Sequence, residues 1–391
     1  MDLPFPRHPP QSAAPPGFLW ALQTAFAPPE VPPVPPPVPW AQAEPILRPT
    51  GLLPMVAARL AHPDLRHRLD PEWEAKARQA REAQADSALR ALATAAQVAR
   101  IALQNAIPVV FLKGAALHLA DQVPVCGRPL ADVDVLVPAA TADRLQSRLI
   151  AAGFRRIGPS LSRHHLDPLG PPPGGLPVEI HRHLPGCRAP EAPGRPLRFE
   201  DLLPAGRTTT VSVQGLKVPV PAPEVLAAHG VVHGLLDHGL RPDRYPPWRW
   251  VLDLAAIQEA PPSSRWLAWV ADPAVSRWGR TVEALLVHLR DLPSGASLLP
   301  AAPGTRHLFL HLTASALDPR YRLALQARQW WPWPLRTDLR EGIRKAFHRL
   351  RHPDPTPDEI PSTTLADRLW ASLEAFWEFY LTSGGPADRR R

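Results

Sequence analysis

The sequence predicts an α+β chain in which helices flank a small mixed sheet on both sides, and three observations predict it. Behind Pro71 runs a stretch to Asn105 with no glycine or proline and with apolar positions three and four residues apart. Short β-rich runs bounded by turns follow between residues 108 and 218. Helical patterns then return from Pro223 onward, broken by prolines. Strand and helix alternate in the middle without a regular βαβ period, so a mixed sheet carrying helices is the economical reading.

The elements follow in order. Of 391 residues 54 are proline, and Pro28 to Pro39 reads PPEVPPVPPPVP. Such a run favours extended polyproline backbone, so residues 1–50 are read as a proline-rich disordered tether, with a partner for this head as an open alternative. Residues 51–106 form a helical segment; Pro71 with Glu72 and Glu74 behind it is a helix start, and Leu89, Leu92, Ala96, Ala99 and Leu103 make one buried stripe.

Residues 107–220 form the sheet core. Pro108 to Leu112 is an apolar strand ended by Lys113-Gly114, with a short helix over Ala115 to Asp121. A second strand spans Asp132 to Val137; Thr141 caps a helix to about Ala152, with Gly153 beyond its end. Phe154 to Ile157 is a third strand, Val178 to His183 alternates at period two, and Val211 to Val218 is a hairpin around Gln214-Gly215. Residues 221–391 are mostly helical.

Composition bounds the function. No run approaches 18 consecutive apolar residues and the first residues lack a signal-peptide pattern, so neither a membrane span nor secretion is expected. Cys126 and Cys187 are too few for a disulfide scaffold, which leaves a cytoplasmic location as the expectation. The net charge of +8 permits an anionic partner, nucleotide or nucleic acid, without singling out either. Only four of the 44 basic residues are lysines: Lys76, Lys113, Lys217 and Lys345. The chain has no GxxxxGK[ST], GxGxxG or GxSxG.

The residues with chemical potential cluster in the sheet core. Asp132 and Asp134 are two apart on a predicted strand, so both carboxylates project from one face. Side by side they repel unless a cation lies between them, and Mg2+ suits carboxylate oxygens together with substrate phosphates. The same pattern also occurs as plain decoration of a strand's solvent edge. Upstream, Lys113-Gly114 closes one strand and opens a helix, where a point charge and close backbone approach suit phosphate. Arg128 reaches either an anion or the aspartates. Glu179, flanked by Val178 and Ile180, offers a third carboxylate, and His181 on the same strand face offers contact with a nucleotide or an acceptor. His229 and His233 share a helix face at a spacing known from zinc sites, but without HExxH. Trp330, Trp331 and Trp333 among arginines read as packing of a C-terminal subdomain or as a nucleic-acid or membrane-surface face.

The stretches FLKGAALHLADQVPVCGRPLADVDVLV, VEIHRHL, PAPEVLAAHGVVHGLLDHGL and WRWVLDLAAI resemble the uncharacterised nucleotidyltransferase family within the DNA polymerase beta superfamily, over roughly Leu52 to Leu292. The resemblance implies a nucleotidyltransferase-like core in which Asp132, Asp134 and Glu179 are the catalytic acids and bind two Mg2+ ions. Lys113 and Gly114 become the nucleotide-phosphate loop, with Arg128 and His181 beside them. The implied reaction moves a nucleoside monophosphate from an NTP to a hydroxyl-type acceptor on a small molecule, peptide or protein. Rival readings are phosphoryl transfer on the same fold and a catalytically silent nucleotide- or partner-binding protein. Two departures stand out: the loop reads Lys-Gly-Ala where the superfamily usually has Gly-Ser, and the third acid is glutamate where aspartate is common.

Overall fold

The structure is a computed structural model that describes residue 15 and residues 17–321, apart from 29–30, 66, 159–163, 239–245, 258–261, 293–298 and 319–320. The predicted helices over Thr337 to His348 and Thr364 to Tyr380, and the tryptophan set, lie outside the described residues. Within them the chain is α+β, with helices on both sides of a mixed five-stranded sheet. One continuous core of buried apolar side chains runs from Phe18 to Ala316.

Between residues 17 and 50 the described residues depart from the expected tether, while residues 1–14 lie outside the described residues. Helices α1 (Phe18–Phe26) and α2 (Trp40–Thr50) are formed, and Phe18, Leu22, Trp40 and Leu47 lie in the core. Polyproline backbone leaves its carbonyls unpaired, and the fold supplies donors for them. The Trp20 indole N–H donates to Val34 O and that of Trp73 to Val38 O, each at 2.9 Å, and the Arg59 guanidinium donates to Pro28 O and Val31 O. Trp20 and Trp40 both pack edge-on against Trp73, at 5.3 and 4.9 Å between ring centres. The prolines between α1 and α2 therefore run over an aromatic shelf of this chain's own.

After α3 (Leu53–Arg59), one 34-residue helix, α4 (Pro71–Gln104), lies against α3, against the later helices over Lys113–Leu119 and Ala142–Ala151, and against the strand over Leu216–Pro221. Asp70 caps it by accepting from Trp73 N at 2.9 Å. The predicted stripe is buried at its middle, Ala96 and Ala99, and exposed at its ends, Leu89 at 59% and Leu103 at 70%. The buried face is wider than that stripe and made mostly of alanine: Ala88, Ala91, Ala95, Ala96, Val98, Ala99 and Ala102. Small side chains on that face let neighbouring elements approach closely, and packing rather than side-chain size chose it.

The sheet is built from β1 (Val110–Phe111), β2 (Val133–Leu136), β3 (Arg155–Arg156), β4 (Leu169–Gly170) and β5 (Val178–His181), in the order β1-β2-β5-β4-β3. The β2–β5 pair is parallel and the others antiparallel. Helix α5 (Lys113–Leu119) follows β1, and α6 (Ala142–Ala151) follows β2. Thr141 stands at the N-cap position of α6 as expected, but its side chain makes no cap bond; the hydroxyl donates to Pro138 O at 3.0 Å instead. The alternating run breaks after His181, and β6 (His183–Leu184) pairs with β7 (Leu197–Arg198) in a separate ribbon. The predicted hairpin is β8 (Thr208–Val213) and β9 (Leu216–Pro221), joined by Gln214 and Gly215 at φ +48° and +79°, the left-handed pair a two-residue turn requires.

The helical half comprises α7 (Pro223–Val232), continued by a π-helical turn over His233–His238, then α8 (Arg249–Ala256), α9 (Ser263–Trp266), α10 (Pro273–Arg290) and α11 (Pro303–Leu317). Helices α7 and α8 both contact α5 and so border the edge of the sheet where Lys113 sits. Among the described residues no helix is long and apolar enough to cross a membrane.

Candidate functional site on the parallel β2–β5 pair

Register builds the site. In the parallel ladder Asp134 lies opposite Glu179 and Leu136 opposite His181. Partners in such a ladder project to the same face, and residues two apart share it, so Asp134, Glu179 and His181 converge. Val133, Val135, Val178 and Ile180 are fully buried on the opposite face, which anchors the pair from behind. Asp132 directly precedes β2 and is half-buried. A slip of one residue would turn every one of these side chains into the core.

Lys113 arrives from the other neighbour. Leu112 N donates to Asp134 O at 3.0 Å, extending the β1–β2 edge by one bond. Lys113 then turns the chain into α5 with φ +47°, a left-handed conformation that costs a side-chain-bearing residue about 1 kcal/mol. The turn sets its Nζ 2.9 Å from Asp134 Oδ1. The His181 Nε2–H donates to the same oxygen at 2.8 Å, and Nε2 is 3.8 Å from Glu179 Oε2. The oxygen and nitrogen donors of Asp134, Glu179 and His181 all lie within 4.8 Å of one another, the one group of three or more such side chains that converges among the described residues.

Charge is unevenly shared here. Burial alone would raise the Asp134 pKa, yet the Lys113 ammonium and the hydrogen bond from His181 outweigh it and hold this carboxyl well below its usual range. Burial, with the Asp134 charge beside it, pushes Glu179 up to about 8 against the pull of Lys113. Burial and Asp134 also raise Asp132, partly offset by Lys113, Arg249 and Arg128. Lys113 is held protonated, because Asp134, Glu179 and Asp132 together overcome its burial. Burial drives His181 down to about 3 despite its bond to Asp134, so the ring is neutral. One lysine thus faces three carboxyl groups, and the resulting repulsion falls on Glu179 and Asp132.

Arg128 is engaged elsewhere. Its guanidinium donates to both carboxylate oxygens of Asp253 on α8, at 2.6 and 2.8 Å, and is nearly buried. Arg249 Nη2 donates to Pro129 O at 2.7 Å. Two arginines therefore pin the loop leading into Asp132. Gly114 makes room for this: a Cβ there would stand 1.7 Å from Arg128 Nη1. Its spatial role is to let an arginine pass, and its φ needs no glycine.

The imidazoles form a wall along one side. His164 stacks on His181 at 5.2 Å with 23° between the rings, and His165 approaches it at 5.4 Å. His229, on α7, is driven down to about 3 chiefly by burial, with Lys113 and His181 adding to it. The sequence pattern singles out His181, His229 and His233 and gives His164 and His165 no place. Their ring contacts depend on the isolated bridge His165–His181, which no local pattern announces. It missed Asp253 as well, although an acid in the apolar run Trp248 to Ile257 was a usable signal.

The fold and site define a class: an α+β protein in which carboxylates from adjacent parallel strands gather beside a half-buried lysine. The family described as uncharacterised nucleotidyltransferase matches residues 36–292, and the chain belongs to that family. The match begins inside the proline-rich strap, so α2 is part of the family's extent. No curated protein and no solved structure matches the chain.

Proposed function

We propose that the chain is a metal-dependent nucleotidyltransferase of the DNA polymerase beta superfamily, moving a nucleoside monophosphate from an NTP to a hydroxyl-type acceptor. The observation that carries this reading is the register of Asp134 against Glu179 with Lys113 Nζ 2.9 Å from the aspartate. The donor set fits a divalent cation: burial, with the Asp134 charge beside it, pushes Glu179 up to about 8, and a cation among these oxygens would offset both. Asp132, Asp134 and Glu179 would hold the two ions that the family resemblance implies, with Mg2+ the ion a carboxylate set accepts. When bound, such ions lower the pKa of the attacking hydroxyl and stabilise the charge on the leaving pyrophosphate.

The chain's own groups do the rest. Lys113, on a flexible stem and 22% exposed, exchanges its carboxylate partner for a triphosphate oxygen once nucleotide enters, neutralising charge that grows on the leaving group. Arg128 acts through the loop, holding Asp132 in place by its bond to Asp253. His229 on α7, kept neutral chiefly by burial, adds no charge beside Lys113 and His181.

Incubation of the protein with α-labelled and γ-labelled NTP and a divalent metal tests the reaction class. Transfer of the α-label is expected; transfer of the γ-label would assign phosphoryl transfer, and neither would leave a nucleotide-binding protein. Asp132→Asn and Asp134→Asn should each reduce transfer at least about 100-fold while circular dichroism is unchanged. Near-normal turnover in either variant overturns the reading.

A further inference from the structure

We infer that His181 is itself a ligand of the divalent ion held by Asp134 and Glu179, and that this position takes Mn2+ or a later first-row ion in preference to Mg2+. The inference rests on the reading of the site as a metal centre and goes beyond it in naming the donor and the ion. The family resemblance implies an all-carboxylate set of Asp132, Asp134 and Glu179. The donors that converge are different: Asp134, Glu179 and His181 lie within 4.8 Å of one another, and Asp132 is outside that group.

Three features of His181 support ligation. First, its Nε2 points between the carboxylates, 2.8 Å from Asp134 and 3.8 Å from Glu179, while the residue is only 2% exposed. Metal bonds of about 2.1 Å put neighbouring donors about 3 Å apart, so small side-chain rotations close the shell. Second, the proton is badly served. With the hydrogen on Nε2, the bond to Asp134 forms and the buried Nδ1 lone pair has no partner. With the hydrogen on Nδ1, the Nε2 lone pair faces two carboxylates, which is repulsive unless a cation stands between them. Third, the ring is fixed in that aim from the side by stacking on His164.

The choice of ion follows from ligand softness. Mg2+ demands oxygen donors and gives up its waters reluctantly, whereas an imidazole beside two carboxylates suits Mn2+, Fe2+, Co2+ or Zn2+. Lys113 shares the Asp134 oxygen, and its long stem lets the ammonium swing aside when the cation enters.

Mn2+ is the probe for the test, added to the full-length protein. Pulsed EPR of the Mn2+ complex is expected to show echo modulation from a directly bound imidazole nitrogen. That modulation should vanish in His181→Gln and persist in His164→Gln. In competition, about a tenfold excess of Mg2+ or more should be needed to displace Mn2+ from the native protein, and clearly less from His181→Gln. An all-oxygen shell in the native protein overturns the inference whether or not any variant folds, and so does failure to bind Mn2+. The transfer assay is read separately. Nitrogen coordination without α-label transfer supports the inference while removing the proposed reaction; transfer with an all-oxygen shell overturns the inference and leaves the reaction standing.

Discussion

A methyl group at Gly114 would stand 1.7 Å from Arg128 Nη1 and 2.3 Å from Leu130 Cδ2, distances no relaxed structure tolerates. The guanidinium has nowhere to go without leaving Asp253, because Nε and Nη2 are both bound there. Gly114→Ala is therefore expected to destabilise the protein by about 3 kcal/mol, the scale of a disrupted buried ion pair. Urea denaturation measures it, and the comparison is Gly127→Ala, whose Cβ would meet Pro124 at 3.2 Å or more and should cost far less. The same substitution made on an Arg128→Ala background should lose the part of its effect that comes from Arg128, leaving the smaller one of shifting the Leu130 side chain. If it stays as damaging there, Arg128 is not what the glycine accommodates. Lys113 is the reverse case: a residue with a side chain takes φ +47° and is tolerated because the turn delivers its ammonium to Asp134.

Between elements, the Arg128–Asp253 bond ties the loop before β2 to α8, two segments 125 residues apart in the chain. Breaking a buried pair strands a charge, so Arg128→Ala and Asp253→Ala should each cost about 3–5 kcal/mol, and the double variant well below their sum. Additive losses in a denaturation cycle would mean the two act independently. This pair also marks the limit of what the sequence discloses. Strand alternation and turn chemistry are local, so Asp132-Val133-Asp134 and Lys113-Gly114 stand out in the sequence with the two aspartates expected on one face, and Glu179 stands out as a carboxylate among apolar neighbours. The parallel register that sets Asp134 against Glu179 is a long-range pairing and leaves no local trace. Arg128 reads from the sequence as a ligand for an anion or a partner for the aspartates, and its bond to Asp253 on a distant helix has no local sign. The proline-rich strap failed as a tether for a related reason: proline forbids a regular ladder but not packing, and donors from Trp20, Trp73 and Arg59 lie up to 35 residues away. The alanine face of α4 was hidden because leucine is the stronger hydrophobic signal, though a helix selects the face that lets its neighbours come close.

At the scale of the whole molecule, histidine burial dictates how the fold responds to acid. His229 and His311 are held down to about 3, in both cases chiefly by burial, and the His311 Nδ1 is paired with the Tyr321 hydroxyl at 2.9 Å. In the unfolded chain each titrates near 6.5. Between those values the unfolded state binds more protons, so stability rises with pH and falls as the solution is acidified below about 6.5. Each such imidazole should remove about 1 kcal/mol between pH 7 and 5.5. Glu179 works the other way, since a carboxyl raised to about 8 holds a proton in the fold that the unfolded chain has released. The total slope is therefore a difference between terms of opposite sign, and a single pH profile cannot assign it. His311→Gln separates them: it lies in α11, where the shift is caused by burial and by His307 rather than by the carboxylates, and the amide keeps a partner for Tyr321. Urea midpoints of the native protein and this variant at pH 7 and 5.5 should differ in slope by about one proton's worth, the variant being the less acid-sensitive. Parallel profiles would mean that His311 gains its proton without unfolding, and that the buried imidazoles do not govern the acid limit of this fold.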